Sequence, residues 1–248
     1  MADSLLDQFQ RGDRRALSRL LSLASRGESL DRLPGQLPIV ARRGRVIAVT
    51  GSGGVGKSTL IGKLIPIIRK ENQSVAVLAC DPRSPLTGGA LLGDRFRMPA
   101  SPEDDGVFIR SLAAASGQGS VAANLPLMIQ LLQAFGFDWV VLETVGAGQG
   151  DTGVRDLADV VVLLLQPETG DDLQWEKAGL PEVADIVVIH KADLPGSERT
   201  EAQVRDILGL SAGTSAKIVR ASSKSGQHIE ELWKAIRTTA DQVSQSSH

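Results

Sequence analysis

The chain has 248 residues, 42% hydrophobic and 23% charged, with a formal net charge of −2 at pH 7. This is the composition of an ordinary globular chain, long enough for one large domain or two small ones. With no long basic run, no tyrosine and only 3% aromatic residues, it argues against a nucleic-acid partner, because base-stacking platforms are scarce.

In chain order, residues 1–33 read as helical. Leu5, Leu6 and Phe9 recur at helical spacing, and Ala16, Leu17, Leu20, Leu21 and Ala24 do so again after Asp13, a suitable N-cap. Pro34-Gly35 and Pro38 end the pattern. From there apolar runs alternate with helical stretches. The expected strands are Val46–Thr50, Val75–Cys80, Val107–Leu112, Trp139–Glu143, Val160–Leu165, Ile186–Ile189 and Ile218–Val219. Continuous apolar strands separated by helices predict an α/β fold, with a mostly parallel sheet flanked by helices on both faces. The helix after the first strand carries Gly62 and Pro66, and an interior proline costs about 3 kcal/mol, so a kink or early break is expected near Pro66. Cys80, the single cysteine, allows no intramolecular disulfide and fits a reducing compartment; at a strand end it reads as a packing residue. The N-terminus lacks a basic start followed by an apolar core, and the longest apolar run, Val160–Leu165, is too short to cross a bilayer. A cytoplasmic protein without membrane contact is expected. The organisation expected is a helical appendage over 1–40, a main domain over 41–240 and a polar tail over 241–248.

Between the first strand and its helix stands Gly51-Ser52-Gly53-Gly54-Val55-Gly56-Lys57-Ser58-Thr59. This fits G-x-x-x-x-G-K-[ST], a loop whose backbone N–H groups, with the helix N-terminus, cradle α- and β-phosphates. Lys57 is expected to reach the β- and γ-phosphates and Ser58 to ligate Mg²⁺.

The base is indicated further along. His190-Lys191-Ala192-Asp193 ends the strand Ile186–Ile189 and resembles the [NT]-K-x-D motif of GTPases. Its aspartate accepts two hydrogen bonds from guanine's N1–H and exocyclic amine, a donor pair adenine lacks. Lys191 is placed to lay its stem along the purine face. His190 departs from the pattern, and whether its nitrogens make the usual bonds to the phosphate loop depends on tautomer. Ala221-Ser222-Ser223-Lys224, after the last strand, resembles the serine-containing loop through which GTPases touch guanine O6. The competing ATPase reading is weaker, since the MinD/ParA-like enzymes carry a lysine where this loop has Ser52.

Asp81 and Glu143 fall at strand ends, where ligands of open α/β sheets sit. Two carboxylates beside a triphosphate make chemical sense if they meet Mg²⁺ directly or through water. After Glu143, Gly146, Gly148 and Gly150 suit a loop that changes shape when a γ-phosphate leaves, with the Gly146 N–H able to contact that phosphate.

Three stretches go beyond a generic GTPase: Val75 to Met98 with its D-P-x-S…G-G-x-x-L-G-D-R-x-R-M block, Val141 to Asp151, and Gly170 to Gly179. They resemble the MeaB-like family, also known as ArgK or LAO/AO transport ATPases, which includes the methylmalonic aciduria type A protein. The resemblance runs from about Leu17 to Trp233. It implies a P-loop NTPase fold of the SIMIBI-type GTPase class. It also implies a Mg²⁺-dependent GTPase, binding GTP and GDP, that acts as chaperone of an adenosylcobalamin-dependent acyl-CoA mutase, gating cofactor loading and protecting the mutase. Carried onto this chain, it sets Asp81 and Asp94 in a first switch, with Ser58 and Glu143 completing the Mg²⁺ surroundings. Asp171, Gln174 and Lys177 match a segment coupling nucleotide state to the mutase. No residue is an obvious catalytic base; Gln149 is the candidate for orienting water. Lys57, Mg²⁺ and switch N–H groups such as that of Gly146 would stabilise the transition state, and slow hydrolysis alone is expected. Longer family members continue into a helical dimerisation arm that this sequence is expected to lack, so a homodimer through that arm is in doubt. A metallochaperone GTPase and an ATPase of the same superfamily are the alternatives. The first should show a metal-binding Cys/His cluster, where this chain has one Cys and three His.

Overall fold

The computed structural model describes residues 2–27, 37, 43–81, 104–113, 124–144, 149–167, 184–210 and 216–246. Two helices come first, α1 (Ala2–Gln10) and α2 (Arg14–Ser25). The Asp13 carboxylate caps α2, accepting from the N–H groups of Arg15 at 2.7 Å and Ala16 at 3.3 Å. Among the described residues seven parallel strands follow: β1 (Arg45–Gly51), β2 (Val75–Asp81), β3 (Val107–Ala113), β4 (Trp139–Glu143), β5 (Val160–Leu165), β6 (Ile186–His190) and β7 (Lys217–Ala221). They lie in the order β3-β2-β4-β1-β5-β6-β7. Among the described residues the helices between and after them are α3 (Lys57–Lys70), α4 (Leu125–Phe135), α5 (Ser197–Leu210) and α6 (Ile229–Ser246), with a 3₁₀ segment at Gln149–Leu157.

Each expected strand is present, because a sheet buried on both faces needs apolar side chains at successive positions, a pattern easily read from sequence. Alternate residues divide between the faces. Ile47, Val49, Val75, Val77, Val141 and Val162 pack with Leu60, Ile61, Leu64 and Ile68 of α3 and Leu232, Trp233 and Ile236 of α6. On the other face Val46, Leu78, Val140 and Leu142 pack with α4 and with Leu17, Leu20 and Leu21 of α2. The N-terminal helices thus cover one half of that face. Arg14 extends the joint by donating to the carbonyls of Asp105 and Val107 at the start of edge strand β3.

The expected break at Pro66 does not occur: α3 runs through it to Lys70. Pro66 is solvent-exposed, while Leu64, Ile65 and Ile68 around it are buried. Burial of such side chains, worth roughly 1.5–3 kcal/mol each, outweighs one missing hydrogen bond.

Strand β1 lies at the centre of the sheet and positions the site. Its last residue, Gly51, opens the glycine loop between the ends of β4 and β5. In the register, Val49 faces Glu143 on one side and Val162 on the other.

Candidate functional site

Glycine allows the loop its shape. Gly51, Gly54 and Gly56 have φ of 141°, 77° and 103°, a region costly for L-residues. A Cβ on Gly51 would stand 2.5 Å from the Leu164 carbonyl oxygen, and one on Gly56 2.5 Å from Cε1 of His190. Val55, wholly buried, anchors the loop in the core, whereas Gly53, Gly54 and Thr59 are exposed. The loop ends at the N-terminus of α3, where the N–H groups of the first turn and the helix dipole favour an anion. Lys57 curls back over the loop, its Nζ donating to the carbonyls of Gly51 at 2.8 Å and Ser52 at 3.0 Å.

Beside it, Ser58 Oγ donates to Glu143 Oε1 at 2.6 Å, with both residues buried. A hydroxyl and a carboxylate at this separation are hard oxygen donors of the kind Mg²⁺ takes. Asp81 closes β2 two residues beyond Ala79, the register partner of Glu143. Its side chain lies outside the described residues, as do Gly146, the Gln149 side chain, Asp94, Asp171, Gln174 and Lys177. Sequence reasoning passed over Thr50 and Thr144, whose buried hydroxyls meet at 3.3 Å where β1 and β4 enter their loops. Their position directly before Gly51 and directly after Glu143 was the available signal.

The third part of the site lies at the ends of β6 and β7. Ser222 Oγ donates to Asp193 Oδ1 at 2.5 Å and accepts from the Ser225 N–H at 3.2 Å. That bond, with the nearby charge of Lys224, holds the Asp193 carboxyl below the usual carboxylate range, so it is ionised at neutral pH. Asp193 itself is exposed, free to accept from a ligand. Lys191, half-buried, adopts a left-handed backbone with φ of 56°. Lys224 is exposed in the turn after β7.

His190 joins these parts. Its Nδ1 lies 2.7 Å from the Val55 carbonyl oxygen and its Nε2 2.8 Å from Ser223 Oγ. A carbonyl can only accept, so Nδ1 carries the proton and Nε2 of the neutral ring accepts from the serine hydroxyl. Burial is the main influence on the ring and lowers its pKa from 6.5, with the Lys191 charge acting in the same direction. The phosphate loop and the two loops expected to recognise a base are therefore tied together by one side chain.

The family model for the methylmalonyl-CoA mutase-associated GTPase MeaB matches residues 22–248. The chain belongs to the MeaB family. It is 41% identical over 244 residues to a Pyrococcus abyssi protein described as a GTPase, covering 96% of this chain and 75% of that one. It is 36% identical over 204 residues to the mitochondrial methylmalonic aciduria type A homolog of Mus musculus, covering 79% of this chain and 49% of the relative. A fused isobutyryl-CoA mutase of Cupriavidus metallidurans is 37% identical over 202 residues, which are 79% of this chain and 18% of that protein. In fold, it resembles the solved structure of an LAO/AO transport system kinase, with a TM-score of 0.73 at 24% identity over 98% of this chain and 79% of that one. HypB from Helicobacter pylori, solved with nickel, superposes with a TM-score of 0.58 at 18% identity over 89% and 95% of the two chains.

This MeaB-family chain is a GTP-hydrolysing enzyme with a P-loop GTPase fold. Among its described residues no helix is long and apolar enough to cross a membrane, and no three His, Cys, Asp or Glu side chains gather as a metal site.

Proposed function

We propose that the protein is a Mg²⁺-dependent guanine-nucleotide switch that serves an adenosylcobalamin-dependent acyl-CoA mutase, gating its cofactor loading and protecting it. The observation that carries the nucleotide half is Asp193. It is an ionised, exposed carboxylate fixed by Ser222 and tied through His190 to the glycine loop. Such an acceptor suits the adjacent N1–H and amine of guanine. Membership of a mutase-associated family, and a relative in which a similar segment is fused to a mutase, support the partner half.

In this reading the N–H groups of residues 51–59 hold the α- and β-phosphates, and Lys57 exchanges its carbonyl partners for β- and γ-phosphate oxygens. Ser58 and Glu143, with Asp81 and Asp94, hold Mg²⁺, which when bound neutralises charge on the phosphates. Ser222, Ser223 and Lys224 border the base with His190 and Lys191. Gly146 and Gln149 act at the γ-phosphate end, while Asp171, Gln174 and Lys177 pass nucleotide state to the mutase. Hydrolysis by the protein alone is slow, because the transition state is stabilised by these groups without a dedicated base.

Calorimetric titration with GDP and with ADP, both with Mg²⁺, tests the first half. Clear GDP preference, lost in Asp193→Ala, is expected; equal or tighter ADP binding would refute the guanine assignment. For the second half, the protein is used as bait in a cell extract, loaded with GDP or a non-hydrolysable GTP analogue. Enrichment of cobalamin-dependent acyl-CoA mutase activity is expected, and no enrichment in either state counts against the partner.

A further inference from the structure

The end of β4 is held from both faces of the sheet. On the α3 face Glu143 accepts from Ser58 at 2.6 Å. Val49 of β1, the register partner of Glu143, points into the core on that face, and its carbonyl accepts the Thr144 N–H at 3.1 Å. Side chains alternate along a strand, so Thr50 and Thr144 stand on the opposite face. Ala48, two residues before Thr50, packs there with Val154 of the 3₁₀ segment and Val161 of β5. On that face the two threonine hydroxyls meet at 3.3 Å, the residues being 1% and 4% exposed. With water excluded, their contact is not traded for solvent without cost.

We propose that Thr50 and Thr144 are positioning residues for the metal: their hydroxyl contact fixes the end of β4 and so holds the Glu143 carboxylate against Ser58 in the arrangement Mg²⁺ requires. This rests on the Mg²⁺-dependent reading above. Neither threonine touches the metal; each acts through the end of the strand, Thr144 being the residue after Glu143 and Thr50 the residue before the phosphate loop. Mg²⁺ demands near-ideal octahedral geometry, so small displacements of its oxygen ligands are costly. Residues that hold such ligands from behind matter accordingly, and losing one typically costs about 10–100-fold in metal affinity or activity. The Thr144–Val49 backbone bond sets the spacing of the two strands, but one N–H···O bond lets the strand end tilt about it. Contacts on both faces oppose that tilt. Ser58–Glu143 is itself part of the site, and the threonine contact supports it from the other side. The base and the α- and β-phosphates are held elsewhere, so metal-free nucleotide binding does not draw on the pair.

The test uses the full chain with GDP, comparing the wild type with Thr144→Val, Thr144→Ser, Thr50→Val and the double valine variant. Valine keeps the branched shape of threonine and removes the hydroxyl. Mn²⁺, a paramagnetic stand-in for Mg²⁺, is titrated into the GDP complex and followed by electron paramagnetic resonance. GDP affinity is measured separately by calorimetry in EDTA. In Thr144→Val, Mn²⁺ affinity is expected to fall about tenfold. GDP binding in EDTA stays within about twofold of wild type, since no contact to phosphate or base is removed. Thr144→Ser, which keeps the hydroxyl, binds Mn²⁺ as the wild type does. Thr50→Val shows the same loss as Thr144→Val, and the double variant loses no more than either, as expected for residues acting through one contact. Unchanged Mn²⁺ affinity in Thr144→Val, equal losses of Mn²⁺ and of metal-free GDP binding, or losses that add in the double variant would each overturn the proposal. If Thr144→Val does not fold, Thr50→Val, which removes the same contact from the other strand, carries the test. A wild-type GDP complex that binds no Mn²⁺ overturns the metal reading itself, a separate outcome.

Discussion

Ser58 and Glu143 meet at 2.6 Å inside the protein, fastening the first turn of α3 to the final residue of β4. The serine follows the phosphate-loop lysine and the carboxylate ends a neighbouring strand, so two distant stretches of sequence supply one pair of oxygens.

For Ser58→Ala, GTP turnover in saturating Mg²⁺ is expected to fall about 10–100-fold, the range seen when a metal's immediate surroundings lose a partner. GDP affinity measured with EDTA should change little. Stability falls too, by about 1–3 kcal/mol, because the buried Glu143 oxygen loses its donor. Turnover that stays at the wild-type level in Mg²⁺ would remove Ser58 from the metal's surroundings.

Gly56→Ala places a methyl group 2.5 Å from His190 Cε1 at a φ of 103°. Backbone strain alone costs about 1–3 kcal/mol, and displacement of the imidazole adds to it. Urea unfolding should show a loss of at least about 2 kcal/mol, together with loss of GDP binding. Gly53→Ala, at an exposed position where no atom lies within 4 Å of the added Cβ, should unfold close to wild type.

His190 sets a pH dependence whose sign follows from its environment. Burial lowers its folded-state pKa below the ordinary histidine value of 6.5. The unfolded chain then binds the proton more readily, so this contribution to stability is fully present above pH 6.5 and is lost as pH falls through the folded pKa. The charges acting on the ring are Lys191, which reinforces the shift, and Asp193, which opposes it. Urea unfolding between about pH 5 and 7.5 should show stability falling on the acid side, with a shallower slope in His190→Asn. An identical slope in that variant would assign the acid sensitivity elsewhere.

Leu17 lies fully buried in α2, in the cluster shared with α4 and strands β1, β2 and β4. Leu17→Ala is expected to cost about 2–5 kcal/mol and to lower the midpoint of a single cooperative transition. A separate early transition, with the main one unshifted, would show that α1 and α2 unfold independently of the sheet.

The strands are legible in the sequence because a doubly covered parallel sheet writes itself as unbroken apolar runs, such as Val160–Leu165. The glycine loop is legible because its backbone shape and its lysine demand particular residues in succession. Pro66 misleads: its local cost is real, but burial of Leu64, Ile65 and Ile68, which carries the helix past it, depends on a sheet assembled from distant residues. In the sequence His190 is a bare departure from a motif. Its partners, Val55 and Ser223, stand 135 and 33 residues away, and only folding brings both to one ring. Side-chain pairing across such separations leaves no local pattern to read.

The far end of the molecule has its own practical meaning. Asp241, near the end of α6, pairs with Arg45 at the first residue of β1, on the rim opposite the glycine loop. Beside them Trp139 and Trp233 cross edge to face at 4.8 Å. A surface anchor or fluorescent label attached beyond α6 would therefore stand behind the sheet, leaving the nucleotide mouth facing solution. Attachment at that end suits single-molecule or biosensor work on nucleotide binding.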